Sequence, residues 1–209
     1  MLKIVSQLFS VSILVILFAC APKHVEMPSY EGMDVKDALS ARKNIAGIDA
    51  MFSLVYEKED SEIKGDGVVY ISRSGFVNMR IYSFGFLAFE LSSANGTIKS
   101  SPSIDKNKAL ILTDGLRDCL FWWDIKDFDT QEKEGKYILT NSRRQIWIDG
   151  KTMLPVRQII SVEDGRELDI YYENPEKIGD VWYPSKIRIE LSKNALTLRI
   201  KDISFVFDT

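Results

Sequence analysis

The sequence predicts a mainly β domain with some helix, an α+β fold built on one curled antiparallel sheet of about eleven strands. Three observations predict it. Eleven segments alternate apolar and polar residues with the period of a strand. Most connections between them are too short for a crossover helix, and turn pairs such as Ser74-Gly75 and Asn95-Gly96 suit hairpins. A twisted sheet of this size curls or closes on itself, so we expect short helices to cover its concave face.

The predicted strands occupy most of the chain after residue 50. They cover residues 51–57, 67–72, 76–82, 87–92, 109–113, 137–141, 145–149, 156–162, 167–172, 186–191 and 196–200. A short helix is predicted over residues 35–43, where Asp34 is placed to cap its first turn. Residues 114–124 predict a second helix with one apolar stripe: Leu116, Cys119, Leu120 and Trp123. The charged stretch 126–136 is predicted to be a loop.

The start of the chain has the features of a secretory signal, a basic first region followed by an apolar run too short to span a bilayer. Residues 17–20, LFAC, resemble the lipobox of bacterial lipoproteins, which implies that Cys20 is acylated. Ala21 follows, and the lack of an aspartate there favours the outer membrane. An ordinary secretory signal with an incidental cysteine is the alternative. The chain is thus divided into a signal peptide, a lipidated N-terminus with its tether, and one domain: residues 1–19, 20–33 and 34–209.

Charge and residue inventory argue against several classes of function. The chain has 27 basic and 30 acidic residues and a net charge of −3, which is not the footprint of a nucleic-acid-binding protein. Its single histidine, His24, lies in the predicted tether, so a histidine-dependent catalytic triad or metal cluster is not expected. We expect neither an enzyme nor a cofactor, and Cys119 has no disulfide partner if Cys20 is acylated.

Strand alternation and the helical stripe place aliphatic side chains toward the interior of the curled sheet, where a ligand cavity is common in barrels. The predicted cavity residues are Val77, Met79, Ile81, Phe89, Leu91, Leu116, Leu120, Trp123, Ile146, Ile148, Ile160, Leu168, Ile170 and Ile189. Leu87 and Val156 are expected to face inward as well. A simply packed core explains the same alternation, and this alternative stays open.

Motifs in both halves of the domain resemble the LolA/LolB-like superfamily of lipoprotein carriers and receptors. In the second half the matching residues are Trp147-Ile148-Asp149, Thr152 with Pro155 and Arg157, the Asp164-Gly165 turn, and Gly179 with Pro184. In the first half they are Gly65-Asp66-Gly67, Arg73, Gly75, Met79 and Arg80. Together these motifs extend over most of residues 47–205.

This resemblance implies an unclosed antiparallel barrel with a helical lid over an apolar cavity that accepts acyl chains. The lipobox makes the chain similar to the membrane-anchored LolB type rather than to the soluble carriers. The implied partners are an acylated lipoprotein or lipid cargo, a periplasmic LolA-like carrier, and the membrane through the N-terminal lipid, with the protein as a monomer.

The segment Ser83-Phe84-Gly85-Phe86 is unusual for a hairpin turn, because polar residues are favoured where it has two phenylalanines. In LolB-type receptors an exposed apolar residue before a glycine is thought to touch the bilayer, and Phe84 is at the matching position. The resemblance therefore implies a membrane-contacting tip made by Phe84 and Phe86. The alternative is that both rings fold back over the sheet as part of the core.

Two functions follow from these observations. The first is a lipid-anchored receptor or carrier that handles lipoproteins or related acylated molecules at the periplasmic face of the outer membrane. The second is a structural or sensory envelope lipoprotein, in which the same barrel binds a protein partner and its interior is filled.

Overall fold

A single sheet of twelve antiparallel strands organises the part of the chain that the computed structural model describes, residues 27–30, 32–59, 61–162 and 165–208. The strands are β1 Ile45–Lys58, β2 Ser61–Ser72, β3 Val77–Ser83, β4 Phe86–Ala94, β5 Thr97–Ser101, β6 Asp129–Lys133, β7 Lys136–Thr140, β8 Arg144–Asp149, β9 Pro155–Ser161, β10 Glu167–Ile178, β11 Val181–Leu191 and β12 Asn194–Phe207. The predicted signal peptide, Cys20 and the tether as far as residue 26 lie outside the described residues.

Three short helical segments accompany the sheet. Helix α1, Val35–Ser40, precedes β1, and the Asp34 carboxylate accepts the Lys36 N–H at its start. Between β5 and β6 the chain forms helix α2, Lys106–Leu110, one π-helical turn, Ile111–Gly115, and helix α3, Leu116–Leu120. These last three form a continuous helical run over residues 106–120, which we call the inner helix.

Consecutive strands pair as antiparallel neighbours except β5 and β6, and the first and last strands of the chain pair with each other in the middle of the sheet. The order is β5-β4-β3-β2-β1-β12-β11-β10-β9-β8-β7-β6. Strands β1 and β12 pair from Lys58↔Asn194 to Ile45↔Phe207. Within the described residues the edge strands β5 and β6 do not pair with each other, so the curled sheet is an unclosed barrel and the predicted fold class is confirmed.

Three predicted elements were wrong, all near the inner helix. Residues 109–113 are helical rather than a strand, because a short apolar run suits either state and the Asp105 cap, which accepts the Lys108 N–H at 2.9 Å, starts a helix. Strand β5 was not predicted, and residues 126–136 contain strand β6 rather than only a loop. Both are edge strands that are exposed on both faces, so their sequences lack apolar alternation.

Two β-bulges change the direction of side chains that alternation placed inside. Register shifts occur between Ile81 and Tyr82 in the β3–β4 pair, and between Trp147 and Ile148 in the β8–β9 pair. A bulge adds a residue to one strand and reverses the alternation beyond it. Leu87 is consequently 52% exposed, and Val156 is only half-buried.

The inner helix fills much of the concave side of the sheet. Its largest apolar side chains and those just after it are 0 to 1% exposed: Ile111, Leu116, Cys119, Phe121 and Trp122. Gly115 packs so closely on β10 and β11 that a Cβ there would lie 3.3 Å from Ile189 and 3.6 Å from Leu168. The helix therefore rests directly on the sheet at this point and leaves no central channel there.

Candidate functional site

An apolar cleft of about 270 Å³ opens where the start of the inner helix meets the first four strands. Its walls are formed by Leu54, Tyr56, Ile63, Lys64, Ile81, Ser83, Ala88, Phe89, Pro102, Ser103, Ile104, Lys108, Leu112 and Leu196. Most of these side chains are aliphatic or aromatic. The cleft is close to the lower end of the roughly 300 to 1,000 Å³ range of small-molecule sites.

The deep wall of the cleft comes from paired strands. Leu54 and Tyr56 of β1 lie opposite Leu198 and Leu196 of β12, so Leu54, Tyr56 and Leu196 face the same space. The Tyr56 hydroxyl donates to Asn194 Oδ1 at 2.8 Å, which satisfies the only polar atom of that side chain. Burial raises the pKa of Tyr56 to about 12, so it stays neutral and contributes an apolar ring to the wall.

Two lysines stand at the cleft. The Lys108 ammonium lies 4.8 Å from the centroid of the Tyr56 ring, a cation–π distance. Lys64 lies on β2 and pairs with Glu62 at 2.7 Å on the exposed surface. None of the lining residues carries a carboxylate, so the cleft combines apolar walls with positive charge.

The β3–β4 hairpin adjoins the cleft and carries the two phenylalanines. Phe84 and Gly85 form its turn with φ of 51° and 81°, the left-handed conformation that such tight hairpins require. The Phe84 side chain is 99% exposed and Phe86 is 78% exposed, so neither ring packs over the sheet. Ser83 lines the cleft, which places this tip directly at its rim.

A second hairpin end adds to the exposed apolar surface on that side. The β1–β2 turn lies at the same end of the strands as the β3–β4 turn, because β1 to β4 are adjacent and antiparallel. Ile63 near that turn is 51% exposed, and Leu87 on β4 is 52% exposed. The cleft thus opens beside an apolar rim, which we define as Ile63, Phe84, Phe86 and Leu87.

The structure brings two of the fourteen predicted cavity residues, Ile81 and Phe89, to the wall of this cleft. The other twelve are buried within the core: Val77, Met79, Leu91, Leu116, Leu120, Trp123, Ile146, Ile148, Ile160, Leu168, Ile170 and Ile189. The sequence placed Leu196 of β12 among the inward-facing residues but did not assign it, or Leu54 and Tyr56 of β1, to the cavity, although all three alternate as strongly as the residues that were assigned. Sequence reasoning also missed Lys108, which was assigned to no element.

A buried polar cluster holds the far end of the inner helix to the sheet. Arg144 is 6% exposed, and its Nη2 donates to the carbonyls of Asp118 and Trp122, each at 3.2 Å, and to Gln158 Oε1 at 3.0 Å. Its Nη1 donates to the Asp124 carbonyl at 2.9 Å. Burial lowers the pKa of Arg144, while Asp118 acts in the opposite direction. Alternation with Ile146 and Ile148 is the signal that would have placed Arg144 inside.

A second arginine ties the same region to a hairpin of the first half. Arg117 on α3 donates to the Asp118 carboxylate at 2.6 Å and to the Arg73 carbonyl at 2.8 Å. It also pairs with the Asp124 carboxylate. These bonds fix the C-terminal end of the inner helix, whereas its N-terminal end borders the open cleft.

The described residues contain no group of three or more side chains suited to hold a metal ion. Within them, no helix reaches the length and apolar character needed to cross a bilayer. Cys119 is fully buried, with its Sγ 3.2 Å from the Leu116 carbonyl, and burial raises the pKa of its thiol. A buried thiol of that kind is not a nucleophile.

Comparison with known proteins identifies the architecture. No family model and no curated protein matches the sequence. The LolA superfamily protein NE2245 from Nitrosomonas europaea superposes with a TM-score of 0.52 at 12% identity, over 85% of this chain and 96% of that one. The chain has a LolA/LolB-like fold.

Two further structures agree with this assignment. A DUF1329 family protein from Desulfovibrio piger gives a TM-score of 0.54 at 14% identity, over 86% of this chain and 94% of that one. A domain described as an outer membrane lipoprotein-sorting protein domain, from Vibrio parahaemolyticus, gives 0.52 at 11% identity, over 82% and 90%. The LolA/LolB-like resemblance seen in the sequence is therefore confirmed at the level of the fold.

Proposed function

We propose that this protein is a lipid-anchored lipoprotein of the outer membrane that faces the periplasm. In this proposal it binds acyl chains in the apolar cleft and accepts or delivers lipoproteins or related lipids. The observation that carries the proposal is the cleft, whose apolar walls open beside a hairpin tip with a 99% exposed phenylalanine. The LolA/LolB-like fold and the lipoprotein-sorting description of one structural neighbour support it.

Burial of hydrocarbon supplies the driving force. An acyl chain in water gains about 0.8 kcal/mol for each methylene that it moves onto apolar walls, and no catalyst is needed. Because the cleft measures about 270 Å³, it accommodates one chain at a time rather than a whole triacylated anchor. Transfer then proceeds chain by chain between the cleft and a membrane or a carrier.

The tip and the anchor have different strengths. Each phenylalanine that enters lipid gains about 1.5 to 3 kcal/mol, which permits repeated contact and release by Phe84 and Phe86. Acyl chains on Cys20, by contrast, hold the protein at the membrane almost permanently. Two or more acyl chains are enough for stable anchoring, because each buried methylene adds about 0.8 kcal/mol. The tip therefore serves contact and delivery, and Cys20 serves retention.

Vesicle binding tests the tip without interference from the anchor. The unlipidated chain, residues 20–209 with Cys20→Ala, is mixed with phospholipid vesicles and sedimented. We expect Phe84→Glu to lower the vesicle partition constant by about tenfold or more, because a charge replaces a ring worth more than 1.4 kcal/mol in lipid. Phe207→Glu is the matched control. Phe207 is also exposed, at 48%, but it pairs with Ile45, at the end of the strands opposite to the Phe84 tip. Equal binding by all three proteins would refute the tip assignment.

The packed interior supports a second candidate, the structural or sensory lipoprotein that binds a protein partner. Phe121 and Trp122 are 0 and 1% exposed and occupy space that a larger acyl cavity would need. Native mass spectrometry of the unlipidated chain purified from bacteria separates the two functions. A bound acyl ligand favours lipid handling, whereas a ligand-free mass together with no uptake of added lipid favours the second candidate.

A further inference from the structure

The cleft carries information about the head group of its ligand as well as about the chain. We infer that it takes a single acyl chain that ends in a carboxylate, a free fatty acid, with the carboxylate held at the Lys108 ammonium. This inference rests on the proposed acyl-binding function and narrows its ligand class. It follows from the charge, the geometry and the size of the cleft.

The cleft lining is positively charged, whereas the whole chain is negatively charged. The whole chain has a net charge of −3, with 30 acidic residues against 27 basic ones. The cleft lining nevertheless has two ammonium groups, those of Lys64 and Lys108, and no carboxylate. An apolar cleft with only positive charge at its walls is complementary to an amphiphile with an anionic head group.

Lys108 is placed to receive that head group. It lies in the first turn of α2, three residues after the Asp105 cap, and its ammonium sits 4.8 Å from the centre of the Tyr56 ring inside the lining. The Asp105 Oδ1 caps the helix at the Lys108 N–H, and its Oδ2 lies 3.7 Å from Lys58. Its charge also acts on Lys108 and Tyr56, but it forms no ion pair with the Lys108 ammonium within 4.0 Å. Lys108 makes no salt bridge to a described carboxylate, so a ligand carboxylate would provide a short charge-assisted bond beside apolar walls.

Lys64 is a weaker candidate for the same role. Its ammonium is bound to Glu62 at 2.7 Å, and its side chain is 70% exposed. Charged pairs in open solvent contribute little, and Lys64 already has its partner. We therefore assign head-group recognition to Lys108 and only a general electrostatic contribution to Lys64.

The size of the cleft separates a fatty acid from other acylated molecules. At about 270 Å³ it suits one hydrocarbon chain. A triacylated protein N-terminus has three chains and no anionic group where they join, and a phospholipid has two chains. A single chain that ends directly in a carboxylate places its charge at the mouth without a second chain to accommodate.

Calorimetric titration of the unlipidated chain, residues 20–209 with Cys20→Ala, tests the inference with dodecanoate, dodecanol and a short-chain phosphatidylglycerol. We expect dodecanoate to bind about tenfold more tightly than dodecanol, the gain typical of one bond between charged groups. Lys108→Met keeps the apolar stem and should remove that preference while dodecanol binding stays the same. Lys99→Met, an exposed lysine of β5 outside the cleft lining, should leave both affinities unchanged.

Ser103→Trp separates failure of this inference from failure of the proposed function. Ser103 is exposed and lines the cleft, so a tryptophan there fills the cleft without disturbing the core. If acid and alcohol bind equally and Ser103→Trp abolishes both, the acyl cleft stands and the carboxylate assignment is overturned. Binding of phosphatidylglycerol alone also overturns it. If no ligand binds, or Ser103→Trp changes nothing, acyl binding in this cleft fails as well.

Discussion

Arg144 shows how one residue can determine where the inner helix ends. A cation that is 6% exposed loses its hydration, and that loss is acceptable only when protein oxygens replace the water. Three carbonyls of the stretch 118–124 and the Gln158 amide oxygen do so. The same bonds satisfy carbonyls that the end of a helix leaves unpaired. One side chain thereby stabilises both the helix end and the strand that carries it.

Arg143, the residue before Arg144, provides a matched control for the structural role of Arg144. We expect Arg144→Met to lower the free energy of unfolding by about 3 to 5 kcal/mol, because buried carbonyl oxygens lose their donor and the Asp118 carboxylate loses a cation 4.0 Å away. Arg143→Met should cost only about 1 kcal/mol, since Arg143 is half exposed, bonds to Asp114 at the surface and approaches the buried Asp118 carboxylate only to 3.8 Å. Urea unfolding followed by tryptophan fluorescence measures both values. Equal losses for the two variants would show that Arg144 is not a structural clamp.

At the scale of elements, alternation predicted the strands that face the core and failed where it was absent or ambiguous. Strands β8 and β11 carry their buried residues at every second position, and the sequence located them. Edge strands β5 and β6 bury nothing, so nothing in their sequences marked them. The prediction for residues 109–113 was wrong because a run of four apolar residues, Ala109 to Leu112, fits a strand and a buried helix equally. The deciding signal was the Asp105 cap, four residues before the run.

The candidate site was only partly predictable for a related reason. The exposed tip at Phe84 violates the chemistry of a turn, and a violation is visible in the sequence. The cleft, in contrast, depends on how far the inner helix fills the barrel. Alternation reports which side chains point inward, but it does not report which of them another element then covers. Ile81 and Phe89 remain on an open wall only because the inner helix begins beside them.

The start of the inner helix gives a pH-dependent prediction. The hydrogen bond from the Lys108 N–H lowers the pKa of Asp105 below its ordinary value. Because the pKa of Asp105 is lower in the folded state than in the unfolded state, its ionisation stabilises the fold at any pH above the unfolded pKa of about 3.9. That stability is lost as the pH falls through the folded-state pKa. We expect Asp105→Ala to cost about 1 kcal/mol at pH 7 and progressively less below about pH 4.

Asp105→Asn is the control for this effect, because asparagine caps a helix as well as aspartate but does not titrate. At pH 7 we expect Asp105→Asn to keep the helix cap and to be nearly as stable as the wild type. Its stability should not fall below pH 4 through titration of this position, so its difference from the wild type changes with pH. Urea unfolding at a series of pH values from 3 to 7 measures all three proteins. A constant difference between wild type and Asp105→Ala over that range would contradict the role of the charged cap.

At the scale of the whole molecule, the connectivity favours cooperative unfolding. The first and last strands, β1 and β12, pair along their length near the centre of the sheet, so neither half of the chain completes its pairing without the other. The inner helix is fixed to both halves, to the first by Arg117 at the Arg73 carbonyl and to the second by Arg144. We infer that the inner helix does not open as a separate lid and that a ligand enters through the cleft at its N-terminal end.

Cys119 allows this inference to be measured. In the Cys20→Ala chain it is the one thiol, and it is fully buried on the inner helix with a raised pKa caused by burial. A thiol reagent reaches it only after the helix leaves the sheet, so the labelling rate reports the free energy of that opening. We expect this energy, and its dependence on urea, to equal those of global unfolding followed by tryptophan fluorescence. An opening energy several kcal/mol smaller would show a helix that detaches while the sheet stays folded, and ligand entry beneath a moving lid would then replace entry through the fixed cleft.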